Sequence, residues 1–261
     1  MRENSVKRKL QRGESCIGTM VFEFNSTGIG RIAKEAGAEF VIYDMEHTGW
    51  HIETVRMLMA TSSSCGLVPL VRVPATEYHF LARVLDIGAM GLMIPMVQTE
   101  DQAEFIVRST KYPPTGRRGA AFSISHDDYS GGNIIAKMQS ANDELLIITQ
   151  IETAQGLENV EKIAAVEGVD LLWIGQFDLT NSLGIPGQFD HPLFEDAVKR
   201  VAAAAKEHGK TAGIMALNVE EARRMHQSGF RCLAYGGDLW IYQQALQQGI
   251  AEVRSIVAEQ Q

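Results

Sequence analysis

Short apolar runs alternate along this chain with longer stretches whose apolar residues recur every three to four positions. The first pattern predicts buried strands, the second amphipathic helices. Strand-type runs fall at Cys16–Val21, Glu39–Tyr43, Leu67–Val73, Met90–Ile94, Leu145–Ile151, Leu171–Ile174, Thr211–Met215 and Cys232–Tyr235. Helical stretches fall near 28–37, 52–64, 76–87, 99–110, 153–165, 193–208, 219–228 and 238–258. Several end at Ala-Gly-Ala, Ile-Gly-Ala, Glu-Gly-Val or Ser-Gly-Phe, where glycine supplies the left-handed stop of a helix. Eight strands alternating with eight helices predict a parallel sheet, and eight is the number that closes a (β/α)8 TIM barrel of ~250 residues. An open doubly wound sheet is the alternative.

Two regions exceed this repeat. The segment Lys111 to Asn142 opens with Tyr112-Pro113-Pro114-Thr115-Gly116-Arg117-Arg118-Gly119 and continues through Gly131-Gly132. It reads as a long irregular insertion on the βα side, the kind that often serves as lid or substrate loop. The tail carries Leu246, Ile250, Val253 and Val257 as an apolar stripe at helical spacing, a pattern that more often packs on its own barrel than on a partner.

Composition narrows the class. No linker divides the 261 residues, so the α/β reading is one barrel over 1–261 with a C-terminal helix at about 238–258. A net charge of -8 argues against nucleic acid or anionic membrane as partner. Cys16, Cys65 and Cys232 are widely spaced and suit reduced thiols better than a disulfide or zinc framework. The polar N-terminus lacks a signal-peptide core, and no apolar run is long enough to cross a bilayer. These features lead us to expect a soluble, cytoplasmic protein.

The chemistry concentrates at strand ends. Gln150-Ile151-Glu152-Thr153 and Gly175-Gln176-Phe177-Asp178-Leu179 each follow a strand and run into a helical pattern. Neighbouring strands would deliver Glu152 and Asp178 to one C-terminal edge, where barrel chemistry sits. Two oxygen ligands with room for water and substrate suit Mg2+ or Mn2+; helix-capping acids are the bland alternative. Gln150 would point inward with Glu152, and the free amides of Gly175, Gln176 and Phe177 could bind a substrate carboxylate. Strand two ends in Asp44-Met45-Glu46-His47, which makes His47 a natural general base. Asp44 could orient it, although strict alternation would put the two on opposite faces. Arg72 ends an apolar strand, where a guanidinium needs an anion: a substrate oxygen, or a site acid in an internal ion pair.

Other chemistries are poorly served. No candidate strand ends in a lysine, so an imine mechanism lacks its nucleophile and carbonyl activation falls to a metal. Gly28-Ile29-Gly30-Arg31-Ile32-Ala33 fits a dinucleotide fingerprint, but its acids come too early in the sequence.

Several separated stretches resemble the HpcH/HpaI aldolase/citrate lyase family. They are Phe40-Val41-Ile42-Tyr43-Asp44-Met45-Glu46-His47, Val71-Arg72-Val73-Pro74, Gly88-Ala89-Met90-Gly91-Leu92-Met93-Ile94-Pro95-Met96-Val97 and the Tyr112–Gly119 segment. The Gln150–Thr153 and Gly168–Leu179 stretches complete the set, in the same order, over roughly residues 15–245. The chain is most similar to the 2-keto-3-deoxy-sugar-acid and 4-hydroxy-2-oxoheptanedioate aldolases, which release pyruvate and an aldehyde from 2-keto-4-hydroxy acids. The resemblance implies a lyase working through a pyruvate enolate with a divalent metal, Mg2+ or Mn2+ with Co2+ also usable, on Glu152 and Asp178. It implies His47 as base assisted by Asp44, and Arg72 as stabiliser of the enolate and carbonyl oxygens. It further implies Asp86 reaching a neighbouring subunit's site, and a homohexamer, a dimer of trimers, that exchanges C-terminal helices. Gln176-Phe177 replace the usual Pro-Ala pair, and the Ala121–Tyr129 loop differs as well. Those departures leave open an oxaloacetate decarboxylase or an enolate-trapping synthase of the macrophomate synthase kind. A non-catalytic keto-acid-binding protein is the rival from outside enzymes.

Overall fold

A computed structural model describes residues 1–259, so the last two positions of the 1–261 barrel reading lie outside the described residues. The strands are β1 (Cys16–Val21), β2 (Phe40–Asp44), β3 (Val68–Arg72), β4 (Gly91–Ile94), β5 (Leu146–Ile151), β6 (Leu171–Ile174), β7 (Thr211–Ala216) and β8 (Cys232–Gly237). They form one closed parallel barrel in sequence order, with β8 pairing back onto β1. The helices are α1 (Ser5–Gln11), α2 (Ile29–Glu35), α3 (Ile52–Ser64), α4 (Tyr78–Asp86), α5 (Glu100–Thr110) and α6 (Ile134–Glu144). The remainder are α7 (Ala154–Glu158), α8 (Val160–Ala165), α9 (Gln176–Ser182), α10 (Pro192–Glu207), α11 (Val219–Gln227) and α12 (Asp238–Ala258). The barrel is therefore the outcome, and the open sheet is excluded. No described helix is long and apolar enough to cross a membrane.

Strand alternation divides the core in two. One set of positions, including Val41, Tyr43, Val71, Ile147, Leu172 and Ile214, packs beneath the helices. The other fills the barrel interior with Phe40, Ile42, Val68, Leu70, Ile148 and Trp173. Followed to the C-terminal strand ends, the interior positions turn polar. Phe40 and Ile42 lead to Asp44; Val68 and Leu70 to Arg72; Leu146 and Ile148 to Gln150 and Glu152. The lower barrel is thus packed for stability, and its upper rim collects the polar groups. Val6 and Leu10 of α1 join the interior cluster and close the lower end, while Asn4 donates to the Met90 carbonyl at 2.9 Å.

Several sequence expectations hold. The expected helix-stop glycines 37, 88, 168 and 229 all take positive φ, at 96°, 109°, 95° and 102°. A Cβ on Gly30 would lie 3.1 Å from the Tyr43 hydroxyl and also strike Ser62, so this glycine lets α2 approach β2 and α3. Helix packing, not a pyrophosphate, accounts for the Gly28–Ala33 motif.

Others are corrected. The 153–165 helix breaks at Asn159, whose side-chain amide donates to the Gln98 carbonyl at 2.9 Å. The N-terminal helix α1 was not expected. The 111–142 insertion joins α5 to β5, so it lies at the N-terminal edge, away from the βα side, and its last part is the regular helix α6. Ser125 within it donates to the Ile87 carbonyl at 3.0 Å, tying it beneath the barrel. The tail stripe does not pack on its own barrel: Leu246, Ile250, Val253 and Val257 are all exposed along α12.

Phe40 is fully buried in the interior cluster. Phe40→Ala should cost about 3–5 kcal/mol of stability, seen as a lower urea midpoint at unchanged slope. A shift below about 1 kcal/mol would mean that the lower barrel is not the packed core described.

Candidate active site

The site is assembled by register. Asp44 and Arg72 are paired positions on β2 and β3, both of interior parity, so their side chains stand side by side. Arg72 Nε donates to Asp44 Oδ1 at 2.7 Å, and both residues are buried. The β2 strand ends at Asp44, which frees the following residues from strict alternation. Asp44 then accepts the backbone N–H groups of Glu46 and His47 at 3.1 and 3.0 Å, folding the chain into a tight turn. The turn throws Glu46 back toward the guanidinium, with its Oε2 3.3 Å from Arg72 Nη1. Asp44 therefore meets His47 through its backbone. The carboxylate nearest the imidazole is Glu46, at 3.7 Å from His47 Nε2.

On the opposite wall Gln150 and Glu152 share interior parity, and the Gln150 amide donates to Glu152 Oε2. The other oxygen, Oε1, accepts Met96 N–H at 2.6 Å. Gly175 directly follows the neighbouring strand β6 and caps α9, and a Cβ there would collide with Glu152 Oε2 and come within 2.7 Å of the Gln150 amide nitrogen. Glycine at 175 is what allows the Glu152 carboxylate to sit there. Asp178 lies in the first turn of α9, exposed to the cleft. The Gln176 side-chain amide is taken up within the protein, donating to the Met215 carbonyl at 2.7 Å and locking α9 to β7. Phe177 stands half-exposed at the rim.

These groups open onto one cleft of about 790 Å3, lined by His47, Arg72, Gln150, Gly175, Gln176, Phe177 and Asp178. Of the sequence-derived candidates, Asp44 and Glu152 lie just behind its wall. Asp86 does not join them. It ends α4 at the lower edge, where its Oδ1 accepts from Arg118 at 2.7 Å.

Two residues of the site escaped the sequence reading. Glu46 was seen only as a neighbour of His47, because its inward turn depends on Asp44 capping the chain. Asp238, at the start of α12, accepts the N–H groups of Phe22, Glu23 and Phe24 at 2.8, 3.0 and 2.7 Å and fixes the loop after β1 at the cleft mouth. A first-turn acid after a strand ending in Gly236-Gly237 was the available signal.

The electrostatics follow from an excess of carboxylates. Burial pushes Glu152 up to about 7, with the charges of Glu46 and Asp178 adding to the rise against the Met96 N–H. Burial likewise raises Glu46 to about 7, opposed by Arg72 and helped by Asp44 and Asp178. A buried carboxylate without a cationic partner, next to two more carboxylates, is the condition a hard divalent cation relieves. Among the described residues no three metal-ligating side chains form a ready cage, so such an ion would draw its other oxygens from substrate and water. Lysine chemistry finds no place: none of the described residues lining the cleft is a lysine. Burial lowers Lys111 to about 8, but its Nζ donates to the Asn142 carbonyl at the far edge.

The model of the HpcH/HpaI aldolase/citrate lyase family matches residues 20–245. The chain belongs to this family. It is 39% identical over 214 residues to the 5-keto-4-deoxy-D-glucarate aldolase of Escherichia coli K12, covering 82% of either chain. The HpcH/HpaI aldolase of Desulfitobacterium hafniense DCB-2 superposes with a TM-score of 0.92 at 34% identity, over 95% of this chain and 96% of that one. Macrophomate synthase superposes at 0.87 with 26% identity, over 99% and 91%. This family member is a carbon–carbon lyase of aldolase type.

The pH dependence of stability follows from Glu46 and Glu152. Between their ordinary value of 4.5 and about 7, the folded chain holds protons that the unfolded chain has released. Stability of the metal-free protein should therefore fall as pH rises through that window and level off above it. Calorimetry from pH 5 to 8 should show a declining Tm that Glu152→Gln flattens; a Tm rising through this range would contradict the carboxylate excess.

Proposed function

We infer that this lyase cleaves, and in reverse forms, a 2-keto-4-hydroxy acid, giving pyruvate and an aldehyde through a pyruvate enolate. The reading is carried by Arg72. Asp44 holds its Nε and Glu46 lies beside its Nη1, while among the described residues nothing hydrogen-bonds Nη2 at the cleft. A guanidinium fixed on one side and open on the other is suited to an oxygen that gains charge during reaction.

In cleavage, His47 takes the proton of the 4-hydroxyl group, directly or through one water. The imidazole is largely exposed and free to reach it. The C3–C4 bond breaks, its electrons passing into the C2–C3 double bond of the enolate as the C4 carbonyl forms. Arg72 faces the enolate oxygen, and a proton delivered to C3 gives pyruvate. Glu152 and Asp178 would hold a divalent ion, Mg2+ or Mn2+ with Co2+ also usable, which supplies Lewis-acid polarisation of the 2-keto group when bound. Gln150 keeps Glu152 in place, and the N–H groups of Gln176 and Phe177 are offered to the substrate carboxylate; that of Gly175 is already taken, donating to the Ile151 carbonyl at 3.2 Å. Asp44 acts on His47 by fixing its backbone.

The assembly we propose is a homohexamer, a dimer of trimers, in which α12 covers a neighbouring barrel. The exposed stripe of α12 supports this; Asp86, which lies outside its own cleft and is paired with Arg118, is the residue that would face a partner's site. Three free cysteines suit a reducing cytoplasm. The second reading, oxaloacetate decarboxylation or enolate trapping, draws support from the likeness to macrophomate synthase and from Phe177 at the rim. Product analysis separates the two, aldehyde from one and CO2 from the other.

Purified protein with Mg2+ or Mn2+ should exchange the pyruvate methyl protons in D2O and stop on chelation; no exchange with any metal would sink the enolate reading. His47→Ala should slow aldol cleavage by roughly 10^2–10^4-fold with metal affinity retained; wild-type turnover would remove His47 from the mechanism. Glu152→Ala should lose metal and activity together, as calorimetric titration with Mn2+ would report.

A further inference from the structure

The donor half of the cleft, around Arg72 and Glu152, leaves a second half nearer the mouth, and its walls differ in kind. Phe177 is 51% exposed there, an unusual state for a phenylalanine on the first turn of a helix. It is nevertheless braced by other rings. Its ring meets the edge of Phe189 at 5.2 Å and 87°, and Phe189 leans on the fully buried Phe194 at 5.7 Å and 60°. Phe22 and Trp240, also lining the cleft, form a second edge-to-face pair at 5.0 Å and 63°, with the Arg72 guanidinium over the Phe22 ring at 5.7 Å where the two halves meet. Trp50 and Leu239 complete this apolar surround. Asp238 fixes both members of the second pair, since it caps the Phe22 loop and begins the helix that carries Trp240.

The charges around this half point the same way. Glu23 lies on its rim and Glu46 lies deeper, both outside the Glu152 and Asp178 pair that would hold the divalent ion. Among the described residues lining the cleft, Arg72 is the one lysine or arginine; Asp44 and Glu46 engage its Nε and Nη1, and its open Nη2 edge is the one given above to the enolate oxygen. A carboxylate on the incoming aldehyde would meet repulsion and lose water without a partner. A polyhydroxylated chain would find Glu23 and Thr48 there, but no hydrogen-bonding group on the side chains of Phe22, Phe177 and Leu239. A flat apolar group would bury its faces against rigid rings that prefer edge-to-face and offset contacts.

We propose that the aldehyde partner is a neutral one with an apolar, aromatic substituent, and that Phe177 is the residue that selects it. The assignment rests on the enolate reading above and adds the acceptor class to it. The test runs the reaction in the synthetic direction, with pyruvate, Mn2+ and three aldehydes: benzaldehyde, 4-carboxybenzaldehyde and glyceraldehyde. The carboxylated ring isolates charge, and glyceraldehyde isolates the ring itself. Benzaldehyde should exceed each of the others in kcat/KM by about tenfold or more, the usual scale of apolar-pocket discrimination. In Phe177→Ala the benzaldehyde-to-glyceraldehyde ratio should drop by about tenfold. The ratio is internal to each variant, so a general loss of activity cannot imitate that change. Equal or better turnover of either competitor, or a ratio untouched by Phe177→Ala, overturns the assignment. Deuterium exchange into pyruvate by the wild type is followed in parallel. Its presence without an aldehyde preference refutes the acceptor class alone, and its absence refutes the enolate reading as well.

Discussion

The buried pair of Asp44 and Arg72 is the constraint on which the rest of the site depends. Register makes them neighbours at the upper rim of an apolar barrel, where neither charge could stand alone. Removing one partner of such a pair typically costs about 3–5 kcal/mol, because the survivor is left buried and unpaired. Asp44 also has oxygen lone pairs to spare, and it uses them on the N–H groups of Glu46 and His47. One carboxylate thereby ends a strand, turns the chain, fixes the backbone of His47 and anchors a guanidinium. The same turn drives Glu46 inward and creates the carboxylate excess that leaves room for a divalent cation opposite.

Much of this was legible in the sequence because it depends on period-two alternation. The spacing of Gln150 and Glu152, and the position of Arg72 at the end of an apolar run, fix which face each side chain takes once strands are assigned. Glu46 was hidden for the opposite reason. Strand geometry gives no guidance past Asp44, and the side-chain cap that replaces it is a tertiary fact. The edge taken by the 111–142 insertion was legible too, since it follows the helical stretch ending at 110 and precedes the strand beginning near Leu145; its length and irregular composition suggest a βα-side lid, but chain order decides against that. The unpacked stripe of α12 looks in sequence like any amphipathic face, since hydrophobic spacing reports burial without naming what does the burying.

Titration alone would have misdirected the search. Lys111 is lowered to about 8, the range expected of an imine-forming lysine, yet it serves the carbonyl of Asn142 at the lower edge. Glu46 and Glu152 are shifted as far in the other direction, and they stand at the edge where eight strand ends converge on a cleft. Burial perturbs both ends of this barrel. What separates them is solvent access and convergence: the lower end is closed by α1, with Lys7 bridging the Leu145 carbonyl and Asp170 at 2.6 and 3.2 Å. A perturbed group that is satisfied and sealed supports the fold, whereas one left short of partners beside an open cleft is available to a ligand. The barrel keeps the two apart by strand direction alone, so its lower end can be packed and charge-paired for stability while its upper rim carries the carboxylates and the open guanidinium edge that a ligand in the cleft would meet.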